Sequence, residues 1–135
     1  MPNAIELPLA LYEAMLQQLC RAYPLEGCGL LAGQADRVRR VYPVSNIRKS
    51  PAAYEMDPAE QLAAMIDMEE RDWELLAIYH SHPHGPQVPS SADVSQAYYP
   101  EAAYVIVSLA DRRRPRARAF TIISEQIGEI PFKIV

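Results

Sequence analysis

Cysteine, glycine, histidine and long apolar runs are all scarce in this chain. Its 135 residues include two cysteines, five glycines and one tryptophan. With only Cys20 and Cys28, no disulfide framework is implied, and a reducing cytoplasm is the expected setting. No run of about 18 apolar residues occurs, which excludes a membrane-spanning helix. The opening MPNAIELPLALYEAM lacks the basic start and small-residue cleavage site of a secretory signal. Positive charge is short as well: 13 Lys and Arg stand against 17 Asp and Glu, a net charge of −4. Nucleic acid is therefore not expected as a main partner, because phosphate binding needs a cationic surface. A disordered chain is excluded by composition, with 50% hydrophobic and 22% charged residues. At this length one domain, spanning 1–135, is expected to bury its own core. Three histidines are present, and all fall between positions 80 and 84.

Proline, with 12 copies, is plentiful and punctuates the chain. Residues 3–7 read as a short strand. From Pro8, Leu11, Met15, Leu16 and Leu19 form one helical stripe that Pro24 stops. GCGLLAG (27–33) reads as a buried strand, and 36–44 alternates apolar and basic residues like a strand with one wet face. Residues 45–51 are a polar connection and 53–56 a further short strand. Asp57-Pro58 is a helix start, and Leu62, Met65, Ile66 and Glu69 continue that helix to about Arg71. Residues 74–79 form a strand running into His80. Residues 83–90 form a Pro-rich loop, and Ser91–Tyr99 a short helix ended by Pro100. AAYVIVSL (102–109) is the strongest buried strand. Residues 111–116 turn, and 117–123 and 130–135 are strands. This order predicts an α/β (α+β) domain with a mixed sheet flanked by helices.

Chemistry concentrates in His80-Ser81-His82-Pro83 and Ser90-Ser91-Ala92-Asp93. Two histidines at i, i+2 on an extended segment point to one side. Both imidazoles can then reach one metal at about 2.0–2.1 Å, and Asp93 at a helix start can swing back as a third ligand. Two histidines and one carboxylate make a catalytic zinc set with an open position. The same His-x-His is also what a surface or hydrogen-bonded pair looks like. Hydrolysis needs a general base, and Glu26, where the chain enters GCGLLAG, is the candidate; its alternative is the exposed end of a turn after Pro24.

Glu26-Gly27-Cys28-Gly29, His80-Ser81-His82-Pro83 and Ser90-Ser91-Ala92-Asp93 together resemble the JAMM signature of the MPN+ metalloproteases. The resemblance covers nearly the whole chain. It implies a cytidine-deaminase-like MPN fold with a mixed, mostly antiparallel sheet, and Zn2+ as cofactor. By position, it implies His80, His82 and Asp93 as zinc ligands, Glu26 as catalytic base and Ser90 as the residue that steadies the oxyanion. The implied activity is that of a peptidase or isopeptidase cutting the amide bond after the C-terminal tail of a ubiquitin-like protein. Some compact bacterial members remove a cysteine or a longer extension from the C-terminus of a ubiquitin-like sulfur-carrier protein, and the resemblance implies that substrate class here. An extended tail is expected to add as a strand at an exposed sheet edge. A non-catalytic MPN scaffold is the alternative in another class, but scaffolds of that kind usually lack the ligands present here. A RadC-like or phage-tail-associated relative shares part of the pattern and usually carries an additional module. The sequence has no His-Glu-x-x-His and no Pro-Cys-x-x-Cys, so zincin and nucleobase-deaminase patterns are absent.

Four features lie outside that pattern. His84 is read as a solvated loop residue, with a role in substrate binding as the alternative. Cys28 sits beside Glu26 but is read as a small apolar group rather than a nucleophile. Arg112, Arg113, Arg114, Arg116 and Arg118 form a basic run around a turn, either a solvated hairpin or a contact for an acidic partner protein. Tyr98, Tyr99 and Tyr104 are read as packing residues.

Overall fold

The aliphatic strands and the two amphipathic helices organise a single sheet with one helix on each face. A computed structural model describes residues 1–135. In chain order the elements are β1 (Ile5–Leu7), α1 (Leu9–Ala22), β2 (Cys28–Gln34), β3 (Arg37–Val44), α2 (Pro58–Glu70), β4 (Glu74–His82), α3 (Ser91–Ser95), β5 (Ala103–Ser108), β6 (Arg116–Ile123), β7 (Gln126–Ile130) and β8 (Phe132–Ile134). The eight strands lie in the order β7-β6-β5-β4-β2-β3-β1-β8. Ladders β2–β3, β2–β4, β5–β6 and β6–β7 are antiparallel. Ladders β4–β5, β1–β3 and β1–β8 are parallel. The expected mixed, mostly antiparallel α+β sheet with flanking helices is the observed one.

Both faces of the central strands are covered, so they read as continuous apolar runs rather than alternating ones. All six residues of β5 are buried. Met15 and Leu19 of α1 pack with Tyr79, Val105 and Val107 on one face. Ala64 and Met68 of α2 pack with Cys28, Leu30, Ile78 and Tyr104 on the other. Side chains on β4 alternate between these cores. His80 and His82 share the parity of Ile78 and point to the α2 face, as the i, i+2 spacing predicts.

Three local expectations are corrected, and helix α2 shows how polar contacts choose a face. Residues 53–56 form no strand; only Met56 makes a bridge, to Asn46. The Asn46 side chain instead ties the loop, its Oδ1 accepting from the Arg48 and Glu55 N–H groups, both at 3.0 Å. Helix α2 forms as expected and leaves Leu62 and Ile66 60% and 48% exposed. Polar latches set its rotation. Glu60 accepts from Ser45 N (3.0 Å) and Oγ (3.1 Å), and Asp67 accepts from the Tyr42 hydroxyl at 2.5 Å. That turns Ala64 and Met68 inward. The helix after Ser90 stops at Ser95, because the Tyr99 N–H is taken by the Tyr104 hydroxyl oxygen (3.1 Å). Finally, 130–135 is not one strand. Pro131 separates β7 from β8, which lie at opposite margins of the sheet. β7 is reached by a two-residue turn at Ser124-Glu125 with φ of 50° and 65°. Such turns normally announce themselves with Asn or Gly.

Candidate metal centre

The β2–β4 ladder aligns Cys28 with His80. Continuing that register outward sets Gly27 beside Ser81 and Glu26 beside His82. Two contacts extend the pairing: the Ser81 N–H donates to the Gly27 carbonyl (3.0 Å), and the Gly27 N–H donates to Ser81 Oγ (2.9 Å). Glu26 has the parity of Cys28, so its side chain leaves the sheet on the face of His80 and His82. Residues more than fifty positions apart thus meet at one end of the sheet through simple antiparallel arithmetic. Gly27 packs against α1, where an added Cβ would lie 2.8 Å from Leu19 Cδ2 and push that side chain aside.

Asp93 arrives from the β4–α3–β5 crossover. Ser90 caps α3 and forms a capping box: its Oγ accepts from Asp93 N (3.1 Å), and its N–H donates to Asp93 Oδ2 (2.8 Å). This pair of bonds fixes the carboxylate. Asp93 Oδ1 lies 3.1 Å from His80 Nε2, and Asp93 Oδ2 lies 3.0 Å from His82 Nε2. The two Nε2 atoms are themselves 3.0 Å apart. Donors sharing one tetrahedral ion at about 2.0–2.1 Å stand roughly 3.3–3.4 Å from each other, close to this triangle. The His82 Nδ1–H donates to the Pro86 carbonyl (2.6 Å), which leaves its Nε2 lone pair facing the other donors. The chemistry and convergence of His80, His82 and Asp93 fit a divalent metal.

The electrostatics follow the geometry. Burial pushes the His80 pKa down, against the pull of the Asp93 carboxylate. Burial also opposes charge on His82, but its bonds to Asp93 and the Pro86 carbonyl outweigh this and raise its pKa. Burial acts against the Asp93 charge too, yet the hydrogen bonds from His80 and His82 hold its carboxyl far below the usual range. Glu26 is 5% exposed, and its Oε1 has no hydrogen-bond partner. Burial raises its pKa from 4.5 to about 7, with His82 lowering it and Asp93 raising it in part.

Glu26, His82 and Ser90 line one cavity of about 290 Å³, walled also by Pro51, Pro83 and His84. All five residues singled out by the sequence pattern therefore stand together. Two neighbours gave no sequence signal. Tyr54 stacks on His80, with ring centroids 4.6 Å apart. Asn46 Nδ2 donates to the Glu26 carbonyl at 3.0 Å. Both reach the site from an irregular loop, where no fixed spacing marks a contact. His84 is exposed and meets Tyr23 edge-on at 6.1 Å. Burial raises the Cys28 thiol to about 12, which fits its reading as an apolar group. A strand cannot add directly to β4, which carries His80 and His82. β4 is paired on both sides, three strands from β7 and four from β8.

Comparison with known proteins places these features in a family. Residues 8–123 match the family described as prokaryotic homologs of the JAB domain. The chain is 39% identical over 127 residues to the CysO-cysteine peptidase of Mycobacterium tuberculosis, covering 93% of this chain and 87% of that protein. It is 40% identical over 88 residues to a desampylase of Haloferax volcanii, covering 63% of each. The solution structure of protein DSY2949 from Desulfitobacterium hafniense superposes with a TM-score of 0.88 at 39% identity, covering 97% of this chain and 92% of that one. With the match spanning the Glu26, His80–His82 and Ser90–Asp93 segments alike, the chain belongs to the prokaryotic JAB-domain family, the JAB/MPN group its sequence pattern resembles.

Proposed function

We propose that this protein is a zinc-dependent peptidase or isopeptidase that hydrolyses the amide bond after the C-terminal tail of a ubiquitin-like sulfur-carrier protein. One observation carries the reading: a buried carboxyl with an unpartnered oxygen, Glu26, shares a cleft with His82 beside three convergent metal donors. The relatives named CysO-cysteine peptidase and desampylase support the substrate class.

His80, His82 and Asp93 would hold the ion. Bound zinc lowers the pKa of a water to about 7 and polarises a carbonyl. Glu26 takes the proton of the attacking water and returns it to the departing amine. A carboxyl with a pKa of about 7 can perform both transfers near neutral pH. Ser90 Oγ accepts from Asp93 N, so its own O–H remains free to donate to the developing oxyanion, a contribution of about two to three decades in rate. Pro83 and Pro86 restrain the loop carrying these groups. No helix is long and apolar enough to cross a membrane. With two free cysteines and no disulfide, we place the enzyme in the cytoplasm, as one domain spanning residues 1–135.

The test is intact-mass analysis of a sulfur-carrier protein extended by a C-terminal cysteine, incubated with the zinc-loaded enzyme and, in parallel, with Glu26→Ala. The expected result is loss of one cysteine mass with the wild type only. No mass change by a wild type that has zinc bound overturns this substrate assignment. Full activity in the variant overturns the role of Glu26.

A further inference from the structure

The β5–β6 connection is a patch of unpaired positive charge. Arg37, Arg40, Arg71 and Arg118 each pair with a carboxylate. None of Arg112, Arg113, Arg114 and Arg116 forms an ion pair, although the chain as a whole carries a net charge of −4. The acid within the turn does not neutralise them either. The Asp111 carboxylate accepts from the Arg113 backbone N–H (3.0 Å), and its carbonyl accepts from Arg114 N (3.0 Å). Asp111 shapes the turn and forms no ion pair with the guanidinium groups.

This turn adjoins the metal cleft. The Leu109 N–H donates to the His82 carbonyl at 3.0 Å. Gly85 approaches the same connection so closely that a Cβ there would stand 3.1 Å from Ser108 Oγ. The Arg112 guanidinium lies 4.2 Å over the Tyr23 ring, and Tyr23 meets His84, which lines the cleft with Glu26. A cationic surface is thereby anchored at the rim, where the body of a protein whose tail occupies the cleft would rest. Unpaired rim charge of one sign accelerates and orients encounter with the opposite sign.

We infer that the Arg112–Arg116 turn docks an acidic face of the ubiquitin-like protein whose tail is cleaved. The inference rests on the peptidase reading above and adds to it the surface that recognises the folded partner. The closing experiment compares the wild type, R113E/R114E and R113K/R114K on two substrates: the whole tail-extended carrier protein, and a synthetic peptide of its tail alone. Direct binding of the carrier is measured alongside. Charge reversal is expected to raise KM for the whole protein roughly tenfold with kcat unchanged, to leave peptide cleavage unaltered, and to be mimicked in the wild type by high salt. The lysine variant is expected to match the wild type. An unchanged KM and unchanged carrier binding in R113E/R114E overturn the inference. So does a loss confined to duplex DNA binding, which would assign the turn to nucleic acid. If the wild type cleaves neither substrate, the peptidase reading fails; a salt-sensitive loss of carrier binding in R113E/R114E would still uphold the docking surface.

Discussion

As the proposed base, Glu26 would meet two demands that a solvated carboxyl cannot, holding a proton and releasing it near pH 7. Burial supplies this at a cost to the fold. A carboxyl whose pKa rises from 4.5 to about 7 on folding binds more protons in the folded than in the unfolded state between those values. Stability of the metal-free protein therefore falls as pH rises through that window, by up to about 3 kcal/mol from this group. Glu26→Gln removes that dependence. Thermal unfolding of the chelator-treated proteins is expected to show the variant gaining on the wild type between pH 5 and 8; parallel curves would refute the assignment. Among single residues, those with a fixed sequence pattern were legible. His80 and His82 share a face through strand alternation, and Glu26 joins them through the ladder Cys28–His80. Asn46 and Tyr54 were not, because the loop that brings them has no period to read.

Among the elements, α3 is the smallest and holds the most consequence for the site. Its five residues are too few for helical stability of their own, so the Ser90–Asp93 capping box orders both the turn and the carboxylate. Ser90→Ala is expected to weaken zinc affinity about tenfold in a chelator-competition titration, while Ser90→Thr preserves it. Equal affinities would confine Ser90 to the oxyanion. The sequence placed the start of this helix at Ser91 but overran its end, since the Tyr104 hydroxyl that intercepts Tyr99 belongs to a different strand. A similar reason explains α2. The sequence marked the helix but not its buried face, because the latches to Ser45 and Tyr42 that turn Ala64 and Met68 inward are tertiary. β7 escaped notice because Ser124-Glu125 is an unusual pair for a turn with two positive φ angles.

For the molecule as a whole, the candidate metal donors come from β4 and the β4–β5 crossover, and the candidate base from the entry to β2. A ligand that binds only this assembled arrangement stabilises it by mass action, by about 2.7 kcal/mol at a hundredfold excess over Kd. Zinc is therefore expected to raise the melting temperature of the chelator-treated wild type and to leave His82→Ala unchanged; an identical response in both would dissociate metal binding from this centre. The architecture was legible because the buried runs 27–33 and 102–109 are long and unbroken. The closure of the sheet was not legible, because it depends on one residue. Pro131 joins β7 to β8, and its carbonyl accepts from Ile5 N at 2.9 Å. Ile5 pairs with Phe132 across nearly the full sequence. β8 is thus held by the strand from the far end of the same sequence, and each guards the other. Without residues 132–134 the outer edge of β1 would lie open to pairing with another chain.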